Sequence, residues 1–450
     1  MRKFSFLFVC LLMQKHVFAQ TYLGTKTPYG GPLHEAYASP PAGYQPVFIN
    51  YVGRHGARFL TKAGADLQVL EALQAAEKSN ALTAIGKKIK AIAQRLQTAS
   101  KGNYENITLL GQEEQEAIGE RMWYTYKSVF SGRGVEVVTT WKVRTQQSAE
   151  AFLKGLADYK GEKRYERAPD SADTTLRFYD LSPAYTHYKK GSLIKKCMDS
   201  LDKDSRTLAT ARRICGRVFT PAYVKELMKT AEGKTGPSKG AAFADELYDL
   251  YSIAWSMSGE VRNAGFPGDS EGLGVAFDRD DLEWMEFRNG AADFLEKGPG
   301  FDSVGIQVKV AAPLLADLIN SMDRAVNKPD GKDAVLRFTH AEAIAPLAAL
   351  LGIREASTPV TSIYKYHDHW SAGIVIPLSA NIQWVLYAGT GSGGYLVKVL
   401  LNEREAVLPV ATTQWPYYRW EDLRAYYIRK LGAVGAGLQQ DMMGYLRGLE

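Results

Sequence analysis

Hydrophobic positions along the chain alternate between two periods. The run Pro46-Val47-Phe48-Ile49-Asn50-Tyr51-Val52 is short, β-branched and aromatic, which predicts a buried strand. Leu82, Ile85, Ile89, Ile92 and Leu96 then recur at helical spacing, with Lys87, Lys88 and Lys90 on the opposite face. Val135 to Thr139 predicts a second strand and Ser148 to Leu156 a helix. This alternation predicts a largely parallel α/β sheet. Between about Ala168 and Gly300 the pattern changes to amphipathic helices, such as Leu247, Leu250, Tyr251 and Ala254. Another helix, Asp280 to Glu296, is predicted to stop at Lys297-Gly298-Pro299. Strand signals resume at Ala334–Phe338, Ile374–Pro377, Trp384–Tyr387 and Tyr395–Leu401. The expected organisation is an α/β domain built from residues 20–167 and 301–450, interrupted by a helical cap at 168–300.

Residues 1–19 read as a secretory leader. Arg2 and Lys3 precede an apolar run from Phe4 to Met13, and Val17-Phe18-Ala19 forms a small-residue cleavage site. Such a leader implies export, to a periplasm or beyond the cell. It is too short to span a bilayer, and no other run is apolar and long enough to do so. Its removal takes away Arg2, Lys3 and Lys15, so the formal charge falls from +6 to +3. That balance does not imply a nucleic-acid partner. Cys197 and Cys215 then remain, to pair in an oxidising compartment or to stay buried thiols in a reducing one. At 450 residues, 46% hydrophobic and 23% charged, the chain can bury a sizeable core.

The strongest chemical signal follows the first strand directly, at Arg54-His55-Gly56-Ala57-Arg58. Guanidinium forks neutralise phosphate oxygens bidentately, and a neutral imidazole can attack phosphorus. The carboxyl edge of an α/β sheet is also where such folds place ligands. A second group, His340-Ala341-Glu342, follows the predicted strand Ala334–Phe338 in the same way. A charged His340 would bind a phosphate oxygen. Glu342 either protonates a leaving alkoxide or simply complements a helix dipole. Arg144, after the strand Val135–Thr139, is a third candidate phosphate ligand or a solvated arginine. His367-Asp368-His369 offers a competing dipeptide and a His-x-His pair, but it lies before a strand and reads as loop. No metal or other cofactor is expected. In the cap, Lys189, Lys190, Lys195, Lys196, Arg212, Arg213 and Arg217 concentrate positive charge, suited to a polyanionic small molecule or to a solvated helix face.

Arg54-His55-Gly56-Ala57-Arg58 resembles the R-H-G-x-R signature of the histidine acid phosphatases. The distal His340-Ala341-Glu342 resembles that of the multiple inositol polyphosphate phosphatases, where another branch carries His-Asp. Further similarity lies at Leu109–Gly119, at Arg144 with Ser148–Leu153, at Ser371–Pro377, and at Val399–Glu403 with Leu408-Pro409. It is weakest at about 168–270. The resemblance implies a histidine-phosphatase (phosphoglycerate mutase-like) α/β fold with a mainly helical cap. It also implies removal of phosphates from inositol polyphosphates such as phytate. His55 would be the nucleophile, Arg54, Arg58, Arg144 and His340 the phosphate ligands, and Glu342 the proton donor. Thr61 and Lys62 match substrate-binding positions of related phytases, and Leu60 stands where the family often has Pro. The alternatives are a non-specific phosphatase of small phosphomonoesters and a non-catalytic polyphosphate-binding protein. The intact Arg54, His55, Arg58, His340 and Glu342 count against the second.

Overall fold

The protein is described by a computed structural model covering residues 22–32, 37–167, 172–229, 237–263, 270–328, 331–391 and 393–450. Residues 1–19, expected from the sequence to form a leader, lie outside these residues. The chain divides into two compact units. One contains the sheet and is built from Tyr29–Gly56, Gly111–Ile194 and Ala292–Glu450. The other is helical, built from the segment ending at Pro28, Ala57–Leu110 and Lys195–Ala291.

The sheet contains β1 (Tyr44–Arg54), β2 (Val135–Thr139), β3 (Lys163–Arg167), β4 (Ala334–Thr339), β5 (Asn381–Gly389), β6 (Tyr395–Leu401), β7 (Arg404–Glu405) and β8 (Tyr417–Arg419). The order is β3-β2-β4-β1-β5-β6-β7, with β8 paired to β6. Pairs β1–β4, β2–β4 and β2–β3 are parallel, whereas β5, β6, β7 and β8 all pair antiparallel. The expectation of a largely parallel sheet therefore holds for only one half. The short connection from β5 to β6 cannot make the crossover that a parallel pair needs. Ile374–Pro377, expected as a strand, instead contributes to a helical turn, Ala372–Val375. Asn402 Nδ2 donates to Ile374 O at 2.7 Å, and Ile376 N to Ala372 O at 2.9 Å, so this short apolar run finds its partners off the sheet.

β1 is buried from Phe48 to Arg54, as a central strand should be. Its residues alternate between faces with period two. Ile49 and Tyr51 join Val137, Leu336, Phe338, Ile118, Met122 and Phe152 in one core cluster. Asn50 turns the other way, where its Nδ2 donates to Leu318 O at 3.0 Å. The start of β4 is held by one carboxylate. Asp333, fully buried, accepts from Ser131 Oγ, Gly132 N, Arg133 N, Arg133 Nε and Tyr159 OH at 2.7–3.0 Å.

The helical unit shows where the expected boundaries differ from the packing. Among the described residues every element from Phe178–Leu181 to Arg279–Glu296 is helical, and of this stretch Lys195–Ala291 belong to this unit. Helices Ala65–Lys78 and Ala84–Ser100, assigned by position to the α/β part, join them instead. Val69, Leu73, Ile89, Ile92 and Leu96 share a core with Ile214, Leu247 and Tyr251. An amphipathic stripe announces a buried face but not its partner. The close packing is visible at Gly86, where a Cβ would lie 2.2 Å from Val218 O. Cys197 and Cys215 are both free, so the disulfide alternative is not realised. Among the described residues no helix is long and apolar enough to cross a membrane.

The Asp333 hub generates a stability prediction. Burial pushes its pKa up, but Arg133, Tyr159 and Ser131 outweigh that and hold it below the ordinary carboxyl value. Asp333→Ala leaves buried donors unpaired and should cost about 3–5 kcal/mol, read from urea unfolding at neutral pH. Because the folded pKa is depressed, this contribution is complete above the unfolded value and is lost as pH falls through the folded one. The wild-type and variant curves should therefore converge only in acid, below about pH 4. A gap that stays constant from neutral pH into that range would contradict the assignment.

Candidate active site

Parallel register places the two histidines side by side. Arg54 pairs with Thr339 across β1 and β4, so His55 and His340 are each the next residue beyond a strand end. Their ring centroids are 5.4 Å apart, edge to face. Strand β2 pairs with the other side of β4, and Thr140, just after it, brings Oγ1 to 3.2 Å from His340 Nε2.

The backbone of residues 54–56 is held at every polar group. Arg54 N donates to Ala380 O at 2.7 Å, and Arg54 O accepts from Gln115 Nε2 at 2.9 Å. His55 N donates to Thr339 O at 3.0 Å, and His55 O accepts from Ser379 N at 3.1 Å. Gly56 N donates to Ser148 Oγ at 3.0 Å, and Ser148 Oγ donates in turn to Arg144 O at 2.6 Å. Gly56 O lies 3.0 Å from His55 Nδ1. A carbonyl only accepts, so Nδ1 carries a proton, and whenever the ring is neutral it is Nε2 that keeps the lone pair. Gly56 is needed here because a Cβ would lie 2.5 Å from Gly111 O.

Cations surround this pair. Arg54 is buried, donates to Ile376 O at 2.6 Å, and has its pKa lowered by burial to about 10, which leaves it protonated at neutral pH. Arg144 acts electrostatically on both Arg54 and His340. Arg177 brings Nη1 to 3.2 Å from His340 Nε2, is ion-paired with Asp180, and stacks over Trp141 and Tyr179. A guanidinium can only donate, so His340 Nε2 accepts and the ring is neutral. Burial, then Arg144, Arg177 and Arg54, push its pKa well below the ordinary histidine value, despite the opposing charge of Glu342. The charged His340 expected from sequence is therefore replaced by a neutral one, since three guanidiniums already occupy its surroundings.

Glu342 opens the helix Ala341–Leu351 that follows β4, and its side chain remains 39% exposed. Its Oε1 is 3.4 Å from Lys297 Nζ. Burial raises its pKa, but Lys297, a hydrogen bond from its own backbone N–H and Arg54 outweigh that and hold it well below the usual carboxylate range. Lys189, half-buried with Nζ over the Tyr185 ring, acts on Glu296 beside Lys297.

The sequence candidates thus separate. Arg54, His55, Arg144, His340 and Glu342 come together in the sheet-containing unit, with Lys189 at their edge and Lys190 exposed beside it. Arg58, Thr61, Lys62, Arg212 and Arg213 belong to the helical unit. There Arg58 Nη1 donates to Phe59 O at 2.7 Å, and Thr61, Lys62 and Arg212 are exposed. Arg213 and Arg217 both pair with the buried carboxylate of Asp281, so these two cap charges serve the packing of their own unit. His367 and Asp368 are exposed in the 3-10 turn Ile363–Asp368 and do not follow a strand. Sequence reasoning missed Arg177, Thr140 and Lys297. Arg177 and Thr140 carry no motif, and Lys297 reads as a helix stop. Among the described residues no group of three or more His, Cys, Asp or Glu side chains could hold a metal ion.

Residues 47–402 match the histidine phosphatase superfamily, branch 2. The chain belongs to this family. It is 26% identical over 340 residues to human multiple inositol polyphosphate phosphatase 1, covering 70% of this chain and 64% of the human one. The chicken protein of the same name is 23% identical over 431 residues, covering 90% of this chain and 89% of its own. Among solved structures, the apo form of the Bifidobacterium longum multiple inositol polyphosphate phosphatase superposes with a TM-score of 0.79. It is 24% identical and covers 93% of this chain and 99% of that one. The same enzyme in complex with inositol hexasulfate gives a TM-score of 0.76 at 23% identity, covering 94% and 99%. The histidine-phosphatase fold implied by the two motifs is thereby established.

Within this branch 2 fold, the neutral state of His340 is open to direct test. Arg177 helps to suppress its protonation, so Arg177→Ala should raise the His340 pKa. The shift is read from the imidazole Cε1 proton in an NMR titration. An unchanged or lower value would show that Arg177 does not act on this ring.

Proposed function

We propose that the protein is a phosphomonoester hydrolase acting on inositol polyphosphates, phytate among them, through a phosphohistidine formed on His55. The observation that carries this reading is the fixed tautomer of His55, with Nδ1–H on the Gly56 carbonyl and Nε2 bearing a lone pair beside Arg54, Arg144 and His340. Nε2 attacks phosphorus, and the bond to the ester oxygen breaks. Arg54 and Arg144 bind the non-bridging oxygens and offset the charge that spreads over them in the transition state. By its place in the Arg54–Arg58 motif, Arg58 is assigned the same role. Neutral His340 donates from a ring N–H. Water then cleaves the phosphohistidine and releases inorganic phosphate.

Glu342 gives the leaving oxygen its proton and afterwards takes one from the attacking water. In the free protein the nearby cations keep it ionised. A phosphate group entering beside it cancels part of that positive field and raises its pKa toward the value a donor needs. Lys189 and Lys190, with Thr61 and Lys62 from the motif region, are assigned to the remaining phosphates of a polyphosphorylated ring. Phosphatases named for inositol polyphosphates in human, chicken and Bifidobacterium longum support this substrate class. The leader at 1–19 supports export.

The experiment is to incubate the purified protein with phytate, separate the products by chromatography, and compare Glu342→Gln on two leaving groups. Lower inositol phosphates should appear with wild type. An inositol oxygen leaves as a basic alkoxide, whereas nitrophenolate needs little help. The variant should lose about 10²–10⁴-fold in kcat/KM on phytate and far less on p-nitrophenyl phosphate. Activity on p-nitrophenyl phosphate with intact phytate would favour the non-specific phosphatase. Equal losses on both substrates would remove the proton-donor role from Glu342.

A further inference from the structure

The helix Arg279–Glu296 ends against the candidate proton donor, and its last turn carries Asp293, with Lys297 just beyond. Lys297 Nζ lies 2.8 Å from Asp293 Oδ1 and 3.4 Å from Glu342 Oε1, and its side chain is only 12% exposed. One ammonium is thus divided between two carboxylates, the nearer of which is not Glu342. We propose that Lys297 is a positioning residue: divided between Asp293 and Glu342, it holds the Glu342 carboxylate in place and sets the pH range over which that group delivers its proton. This rests on the assignment of Glu342 as proton donor.

The surroundings favour such control. Glu342 faces Lys297 from this helix end, His340 and Arg54 from the two strand ends, and Tyr179 and Tyr185 from the segment 178–189. Of the cations that hold Glu342 ionised, Lys297 acts most strongly. Burial alone would lower the lysine's own pKa, but Asp293 and Glu342 together hold it above the ordinary value, so it stays charged throughout the working range. Glu296, next in sequence, sits in the same group of charges with Lys189. Tyr185 OH donates to Glu296 O at 2.9 Å and Tyr188 OH to Leu295 O at 2.8 Å, which anchors the helix end that carries the lysine. Lys297 is therefore fixed by its own helix, and the balance between its two carboxylates is set by Asp293.

This arrangement makes two substitutions act in opposite directions, which a merely structural role would not do. Lys297→Met removes the nearest cation from Glu342, whose pKa must rise. Asp293→Asn leaves the whole of the Lys297 charge to Glu342 and also removes a repelling carboxylate, so its pKa must fall. The experiment measures kcat for phytate against pH, where the basic limb reports the donor in the enzyme–substrate complex. Relative to wild type, the limb should move up by about one pH unit or more in Lys297→Met and down in Asp293→Asn, within the range typical of a charge at this distance. On p-nitrophenyl phosphate, whose leaving group needs little help from a donated proton, the basic limbs of the three proteins should nearly coincide. Limbs that stay together on phytate, or that move the same way in both variants, would overturn the proposal. If Lys297→Met does not fold, the direction of the Asp293→Asn limb decides alone. Glu342→Gln run alongside keeps the two readings apart. Equal losses on both substrates would mean that Glu342 is not the donor, whatever the limbs do.

Discussion

Parallel pairing of β1 with β4 determines where the chemistry of this protein can stand. Because Arg54 is opposite Thr339, the residues that follow, His55 and His340, leave adjacent strand ends together. A slip of one residue would send every side chain of one strand to the other face and separate the pair. The register is guarded on both sides: Ile49 and Tyr51 enter an apolar core, while Asn50 enters a polar network against Leu318 O and Arg337. Asp333 fixes the start of β4 before any of these contacts is reached. From that register follow the cradle around residues 54–56, the tautomer of His55 and the position of Arg54.

A second consequence is electrostatic. Three strand ends deliver Arg54, Arg144 and two imidazoles into a small volume, and Arg177 adds a third guanidinium. So much positive charge cannot tolerate a protonated His340 as well. The result is a site with fixed cations, a neutral His340 beside His55, and one carboxylate held by Lys297. Such a field suits a multiply charged anion, and most of it is in place before any ligand arrives, so little reorganisation is required.

The parts legible in the sequence were those with a local cause. Residues 135–139 and 395–401 are strands over the whole of their apolar runs, and the short motifs fall immediately after β1 and β4, where they were expected. Long-range choices were not legible. The helix Ala84–Ser100 showed its stripe clearly but shares its core with Ala211, Ile214 and Val218, partners over a hundred residues away. The β-branched run at Ile374–Val375 became a helical turn because Asn402 takes one of its carbonyls. Arg213 looked like a free cation for a polyanion until Asp281 appeared beneath it. Arg177 and Lys297 act through neighbours 163 and 45 residues away, and spacing along the chain carries no trace of such contacts.

The central claim is that His55, and not water directly, receives the phosphoryl group. The most direct measurement is to mix the protein with radiolabelled phosphate ester, quench in base within milliseconds, and locate any label by peptide mass spectrometry. The account predicts a base-stable, acid-labile phosphoryl group on the peptide containing His55, formed and lost at rates that can support turnover. Full turnover with no protein-bound label at any time, or a label on another residue, would contradict it.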